Sequence, residues 1–398
     1  MKLLHNITLT FVALAPIIVL TDLMPDLKPP ILITQQPQLA EMLDRVRGHA
    51  SIAVDTESDS LYVYREKVCL IQVSIPGLDY LIDPLSGIDL QPIGQVLSDP
   101  QIQTVFHAAE YDVICLRRDY GFTFANLFDT MWAARILGWP HVGLGDIMQE
   151  KFGITLDKHW QRHNWGKRPI EPAALSYARF DTHYLLRLRD VQLRELRQLD
   201  RLEEAQEVFA DLAESESTRR AFEPDDFWRI KGVWDLGGRA QTILRQLTIL
   251  RDREARRQNR PPFKVFGDKT LIALAERSPH KIEQLQSIEG LSELLIKRYG
   301  PALLEAVERG RHAPIPMPPP RSAPDQVVLA RYEKLRTWRK QVAAQRGVEP
   351  DVIVGNAVLM EVAQRNPRTM DELPKMDWFG PWRRSTYGQA IIDVISDL

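Results

Sequence analysis

The chain has 398 residues, 44% of them hydrophobic and 26% charged, with a formal net charge of −2. That length holds two to three domains of roughly 150 residues each, the composition is ordinary for a globular protein, and the near-neutral balance leaves any nucleic-acid binding to local basic patches. Two cysteines, Cys69 and Cys115, lie far apart in apolar surroundings. This excludes a disulfide framework and a ligand-spaced pair, and a reducing cytoplasm is the compartment expected.

The first 23 residues stand apart. Lys2 and His5 precede an apolar run over 11–20, but the run is short for a membrane span, Pro16 interrupts it, and no small-x-small cleavage site follows. Met24 is read as the true start, residues 1–23 as a mis-called or disordered extension, and no stable membrane association is expected. Residues 38–46 have helical spacing, and 51–55 form a short apolar strand. Further strands are read at 68–74 and 80–83, with Pro76 and Gly77 as the turn between them. Residues 104–108 form a strand that leads into a helix through Asp112 to Arg118. Helical periodicity then dominates, at 130–137, at 145–152 and in one long segment from 172 to 214. Strands first and helices later predict a mixed sheet flanked by helices over 24–214.

Residues 215–235 read as a junction carrying the aromatic pair Phe227 and Trp228, and 236–312 as a helical domain. The proline-rich stretch 313–325 cannot hold a helix and reads as a linker. Residues 326–398 are helical again and echo the preceding domain: LTILRDREARRQNRPP returns as LRTWRKQVAAQRGVEP. Two degenerate copies of one small helical domain are expected.

Chemistry concentrates in three places. Asp55 and Glu57 are two apart at a strand end, so both carboxylates point the same way. Tyr177 and Asp181 are four apart in a helical stretch, which also puts them on one face. Asp112 follows the strand 104–108 across a short turn. Each pair alone is weak evidence, because Asp-x-Glu is common on solvated surfaces and a Tyr/Asp pair at this spacing is usually helix surface. Their order and context together carry the signal. Four carboxylates converging from three segments are costly unless cations neutralise them. Hard divalent ions favour such oxygen ligands, and paired ions of that kind suit phosphodiester hydrolysis. The residues point to a metal-dependent nuclease.

IAVDTES, VFHAAEYDV and LSYARFDTHYL resemble the three exonuclease motifs of the DEDD superfamily of 3′–5′ exonucleases, and the tyrosine four residues before the last aspartate matches its DEDDy branch. LDKHWQRHNWGKRPI resembles the segment characteristic of ribonuclease D, and the two C-terminal repeats resemble the HRDC domain. An exonuclease followed by two such copies is the arrangement of the bacterial ribonuclease D family. The resemblance implies a ribonuclease H-like α/β exonuclease domain followed by two all-α HRDC domains. The chain departs from the family pattern at Ser58, where an aromatic residue usually follows Asp-x-Glu, and at His163 and Asn164, where Ser-Asp is common.

The mechanism this resemblance implies uses two divalent ions, Mg²⁺ or Mn²⁺. Asp55, Glu57 and Asp181 hold the ion that activates water, and Asp55 bridges to a second ion about 3.5–4 Å away. Asp112 supports that second ion, partly through waters. Tyr177 orients the attacking water, since an ordinary pKa of about 10 makes it a poor base at neutral pH. The expected reaction releases 5′-mononucleotides from RNA with a free 3′ end, with tRNA precursors as the natural class. A DNA-directed exonuclease of the same superfamily and a non-catalytic nucleic-acid-binding protein are the alternatives; the sequence is silent on oligomeric state.

Other residues carry two readings. His107 is read as structural, and Asp129 and Asp146 as helix-start or turn residues. Trp160, Trp165, Lys167 and Arg168 either contact an RNA strand by stacking and phosphate pairing or, for the tryptophans, pack in the core. Arg256 and Arg257, among arginines crowding one helix of the first repeat, either grip RNA or form a solvated face. Trp338 and Arg339 match that helix in the last copy, which is less basic and serves to pack or close a ring.

Overall fold

A computed structural model describes residues 27–157, 159–216, 221–319, 325–373 and 378–396. The extension 1–23 and residues 320–324 of the proline-rich stretch lie outside the described residues. Six strands build one mixed sheet in the order β1-β4-β3-β2-β5-β6: β1 (Ile31–Ile33), β2 (Ser51–Ser58), β3 (Val68–Ile75), β4 (Leu78–Ile82), β5 (Gln103–Phe106) and β6 (Leu127–Asp129). β2 runs antiparallel to β3 and parallel to β5. β3 is buried along its whole length, which is why VCLIQVSI reads as a continuous apolar run rather than an alternating one.

Helices α1 (Gln36–Val46), α2 (Gln91–Leu97), α3 (Glu110–Tyr120), α4 (Thr130–Leu137) and α5 (Leu144–Phe152) flank the sheet. The segment read as one long helix from 172 to 214 is four: α6 (Pro172–Ala178), α7 (Phe180–His183), α8 (Leu185–Gln198) and α9 (Leu202–Ala213). β1, β6 and α2 were not legible in the sequence; three residues, or seven, are too few to show a period. Strand β2 also runs three residues beyond its expected end, so Glu57 lies within the ladder.

Two helical units follow. The first contains α10 (Gly238–Arg257), α11 (Asp268–Arg277), α12 (Ile282–Leu285) and α13 (Glu293–His312). Phe227, Trp228, Ile230 and Val233 from the junction are buried in its core. The second contains α14 (Gln326–Arg346), α15 (Pro350–Ile353), α16 (Asn356–Arg365) and α17 (Pro381–Ser396). There Arg339 donates to the Val354 carbonyl at 2.7 Å and to Asn356 Oδ1 at 2.8 Å, so it serves internal packing.

Both units contact the sheet domain. The loop after β2 reaches the first: Tyr64 donates to Asp252 Oδ1 at 2.5 Å, and Arg256 Nε donates to the Tyr64 hydroxyl at 2.9 Å. The last unit docks on α4 and α9. Gly138, in the left-handed region at φ 75°, meets the Gly347 carbonyl so closely that any Cβ would collide. Arg346 pairs with the fully buried Glu204 at 2.5 Å, Arg383 with Glu207 at 3.0 Å, and Val352 enters the core of the sheet domain. Removing one partner of such a pair strands the other. Arg346→Ala is expected to cost roughly 3 kcal/mol, the low end of that range because Arg346 is 19% exposed. Denaturant titration checks this, and an unchanged midpoint would show that the pair does not hold the unit in place.

Candidate active site

Asp55 and Glu57 leave the same face of β2, paired across the ladder with Gln72 and Leu70 of β3, and the register shifts just after them, between Glu57 and Ser58. Thr56 points to the other face, where its hydroxyl donates a short hydrogen bond to Asp112 Oδ1. Asp112 stands in the first turn of α3 and is 5% exposed. The turn before it passes through Ala108 at φ 63°. Asp129 holds that turn, accepting from the Ala109 amide at 2.5 Å and from the Trp132 amide, at the start of α4, at 2.8 Å. Asp129 is thus a cap, as its sequence position suggested.

Tyr177 lies in the last turn of α6 and Asp181 in the first turn of α7. Arg179 between them keeps helical dihedrals (φ −59°, ψ −30°), so the two side chains still share a face. Arg179 itself turns the opposite way, onto the buried Asp79 of β4. Asp79 accepts from Arg179 Nε at 2.9 Å, lies 2.9 Å from His183 Nδ1 and accepts from Ser74 Oγ at 2.7 Å. Ser74 and Thr182 hydroxyls are 2.7 Å apart. This network fixes α7 to the sheet. Asp55, Glu57 and Asp181 are thereby brought together, each offering a carboxylate oxygen within 4.8 Å of the others. Asp112 approaches the same group from α3 without joining that set.

Two clefts of about 390 and 340 Å³ meet at Asp55, Thr56 and Glu57. The first is lined by His107, Asp146, Asp157, Tyr177 and Asp181; the second by Ser58, Tyr111, Asp112, His163 and Trp165. Gln161 borders both. Ser58 sits 3.0 Å from the Tyr111 hydroxyl, and Tyr111 is 45% exposed, so an aromatic ring reaches the cleft from α3 although none follows Glu57 in the chain.

A family described as 3′–5′ exonuclease matches residues 30–197, and the HRDC domain matches twice, at 240–307 and 328–395. A ribonuclease D from Gluconacetobacter diazotrophicus is 28% identical, over 91% of this chain and 92% of the relative. Ribonuclease D from Pseudomonas paraeruginosa is also 28% identical, over 91% and 96%. The solved Escherichia coli RNase D, 24% identical with a TM-score of 0.69 over 93% of this chain and 99% of the other, shares the fold. The chain belongs to the ribonuclease D family. It is a nuclease with a mixed α/β exonuclease domain followed by helical HRDC domains.

The electrostatics of this ribonuclease D site follow from its crowding. Burial pushes the Asp55 and Glu57 carboxyls well above the carboxylate range, and the facing charges of Asp112 and Asp181 push them further. Burial likewise raises Asp112 and Asp181 to about 7. Among the described residues these oxygens have no positive partner, a setting that fits divalent cations. Tyr177 is raised by burial, then by Asp181, Glu57 and Asp55, so its hydroxyl stays protonated and available as a donor. Burial lowers His107 to about 4, and its Nδ1 lies 2.8 Å from the Thr130 hydroxyl, in keeping with a structural, neutral ring.

The residues expected to touch RNA are not equally available. Trp165 is 1% exposed and its ring stacks on Tyr177 at 6.5 Å, so it backs the tyrosine instead of offering a face to a base. Arg168 donates to both oxygens of Asp83 at 2.7 and 2.6 Å and to the Cys69 and Trp165 carbonyls, which commits it to holding its own loop. Trp160 is half-buried between His159 and His163. Lys167 is exposed. Arg256 is held by Asp252 at 2.8 Å and by Tyr64, and the exposed Arg257 pairs with Glu254 at 2.7 Å.

Asp79, Arg179 and His183 were missed in the sequence. The available signal was a second i,i+4 pair, Arg179 and His183, interleaved with Tyr177 and Asp181 and facing the opposite way. Burial raises the Asp79 carboxyl, but the bonds from His183 and Ser74 and the nearby charges bring it below its ordinary value. Asp79→Ala is expected to destabilise the protein by roughly 3–5 kcal/mol and to lower kcat, because Arg179 is left buried and unpaired and α7 is released. Unfolding and steady-state assays of the variant check both; wild-type values in each would remove Asp79 from the positioning of Asp181.

A pH dependence follows from the two aspartates. Folded Asp112 and Asp181 titrate near 7 and unfolded ones near 3.8, so between those values the folded state binds more protons. Stability of the ion-free protein therefore falls as pH rises through that window, and a bound divalent ion offsets the loss. The increase in melting temperature on adding Mg²⁺ is expected to grow between about pH 5 and pH 8. A Mg²⁺ shift that did not change with pH would contradict this origin.

Proposed function

We propose that this site removes 5′-mononucleotides from the 3′ end of RNA by a two-ion hydrolysis, and that 3′-extended tRNA precursors are its natural substrates. The observation that carries the reading is the convergence of Asp55, Glu57 and Asp181 oxygens beside a protonated Tyr177. Two bound divalent ions, Mg²⁺ or Mn²⁺, would supply Lewis-acid stabilisation of the attacking and leaving oxygens. Asp55, Glu57 and Asp181 would hold one ion, and Asp55 with Asp112 the other. Tyr177 donates its hydroxyl hydrogen bond to orient the water, and Trp165 fixes the ring that does so. Lys167, Trp160 and the exposed arginines of α10, Arg257 among them, face the polymer beyond the cleft.

Family membership and the paired HRDC domains favour RNA over DNA. Two buried free cysteines suit a reducing cytoplasm. Among the described residues no helix is long and apolar enough to cross a membrane.

The test uses a 5′-labelled tRNA with a 3′ extension and a matched single-stranded DNA, each with Mg²⁺, Mn²⁺ or chelator. A metal-dependent ladder shortening from the 3′ end, faster on RNA, is the expected result. Asp181→Asn should slow it about a thousandfold, near 4 kcal/mol of lost transition-state stabilisation, with the melting profile retained. Near-normal activity in that variant would overturn the site assignment, and faster shortening of DNA would transfer the activity to that polymer.

A further inference from the structure

A cavity of about 460 Å³, larger than either branch of the catalytic cleft, opens at the other end of the sheet. It lies where β5 and β6 begin, under helices α8 and α9. Ser51, the first residue of β2, bonds to Arg189 of its wall, and Asp55 comes four strand residues later, about 13 Å farther on. The cavity is therefore separate from the carboxylate group, and the hydrolysis proposed there makes no use of it.

Its lining is cationic: among the described residues two arginines and no carboxylate line it. Arg189 is 17% exposed and fixed in place, its Nη2 donating to Ser51 Oγ at 2.6 Å. Its buried Nε stands 3.2 Å from Asp190 but makes no hydrogen bond, and a pair whose acid is solvated contributes little. Arg197, about two turns later on α8, is exposed, and its guanidinium has no partner among the described residues. The Gln206 amide has none there either. Gln103 and Asn126 are tied to each other at 3.3 Å, and the rings of Phe128 and Phe209, 4.7 Å apart, supply an apolar wall.

We propose that this cavity is a second ligand site, which takes the phosphate monoester of a nucleotide, free or at the end of a strand. Guanidinium groups pair with phosphate through charge-assisted, often bidentate bonds. The volume is that of a small-molecule pocket, and apolar walls carrying a few placed amides suit a base and its polar edge. No divalent ion is needed here, whereas the carboxylate cleft repels a phosphate until cations neutralise it.

The experiment titrates 5′-AMP calorimetrically into the full-length protein in chelator, where the carboxylate cleft offers it no ions. Wild type is compared with Arg197→Glu, Arg189→Gln and Asp55→Asn, and adenosine replaces 5′-AMP in a parallel series. Saturable binding of 5′-AMP is expected, unchanged in Asp55→Asn. It should weaken at least about tenfold in both arginine variants, and adenosine should bind wild type more weakly by a similar factor, the worth of one charge-assisted hydrogen bond. A 5′-phosphorylated tetranucleotide, intact without metal, is run alongside; whichever of it and 5′-AMP binds tighter, with the same dependence on the arginines, identifies the source of the phosphate. No saturable binding to wild type, adenosine binding as tightly as 5′-AMP, or full affinity in Arg197→Glu with an unchanged melting temperature would reduce the cavity to a solvated groove. Affinity lost in Asp55→Asn alone would put the nucleotide in the catalytic cleft and end the proposal, without touching the reading of that cleft as the nuclease site.

Discussion

Carboxylates that repel one another cannot assemble an active site by their own contacts, and the fold around this one supplies the force that keeps them close. Asp55 and Glu57 are held by the β2–β3 ladder, whose hydrogen bonds belong to the backbone and are indifferent to the charges displayed. Asp112 is held by the Thr56 hydroxyl and by a turn that Asp129 clamps. Asp181 is held at one remove, through Arg179, His183 and Thr182 gripping Asp79 and Ser74. In that last case a buried ion pair on one face of a helix opposes the repulsion on the other. The positive charge of this network lies away from the cleft, so it gathers the carboxylates without neutralising them, a setting that suits cations.

The same division of labour extends outward. The two helical repeats both match the HRDC domain but contact the sheet domain differently. The first meets the loop that leaves β2 just beyond Glu57, through Tyr64, Asp252 and Arg256. That link joins the strand bearing Asp55 and Glu57 to the arginine-rich helix α10, so Arg256 works as a joint between domains whatever its neighbours do toward RNA. The last repeat docks on α4 and α9 through Glu204, Glu207 and Val352. Arg346 and Arg383 of that repeat serve the docking and Arg339 its own core, while Arg336 and Arg365 stay exposed beside Glu333 and Glu361.

Much of the site was legible because its chemistry is local. Asp-x-Glu on a strand and Tyr-x-x-x-Asp on a helix place side chains on one face by backbone geometry alone, and that geometry survived even where the expected long helix proved to be several. Asp129 announced itself as a cap in the same way. Partners joined across the sheet were not legible. Asp79 is one of 53 acidic residues, and nothing near it in the chain points to Arg179, a hundred residues on. Trp165 looked equally suited to RNA or to packing, and Arg168 to phosphate pairing; burial of the tryptophan and the hydrogen bonds of the arginine commit both to the protein interior.

The amino-acid sequence by itself determined the order of the domains, the residues that carry the charge of the site and the chemistry open to them, since these depend on side-chain type and on periodicities of two and 3.6 residues. The tertiary structure alone decided which groups meet. It turned Arg179 away from the cleft, and distributed the two repeats between the loop after β2 and the helices α4 and α9. Those outcomes depend on strand register, burial and long-range pairing, which arise only when distant segments compete for the same interior.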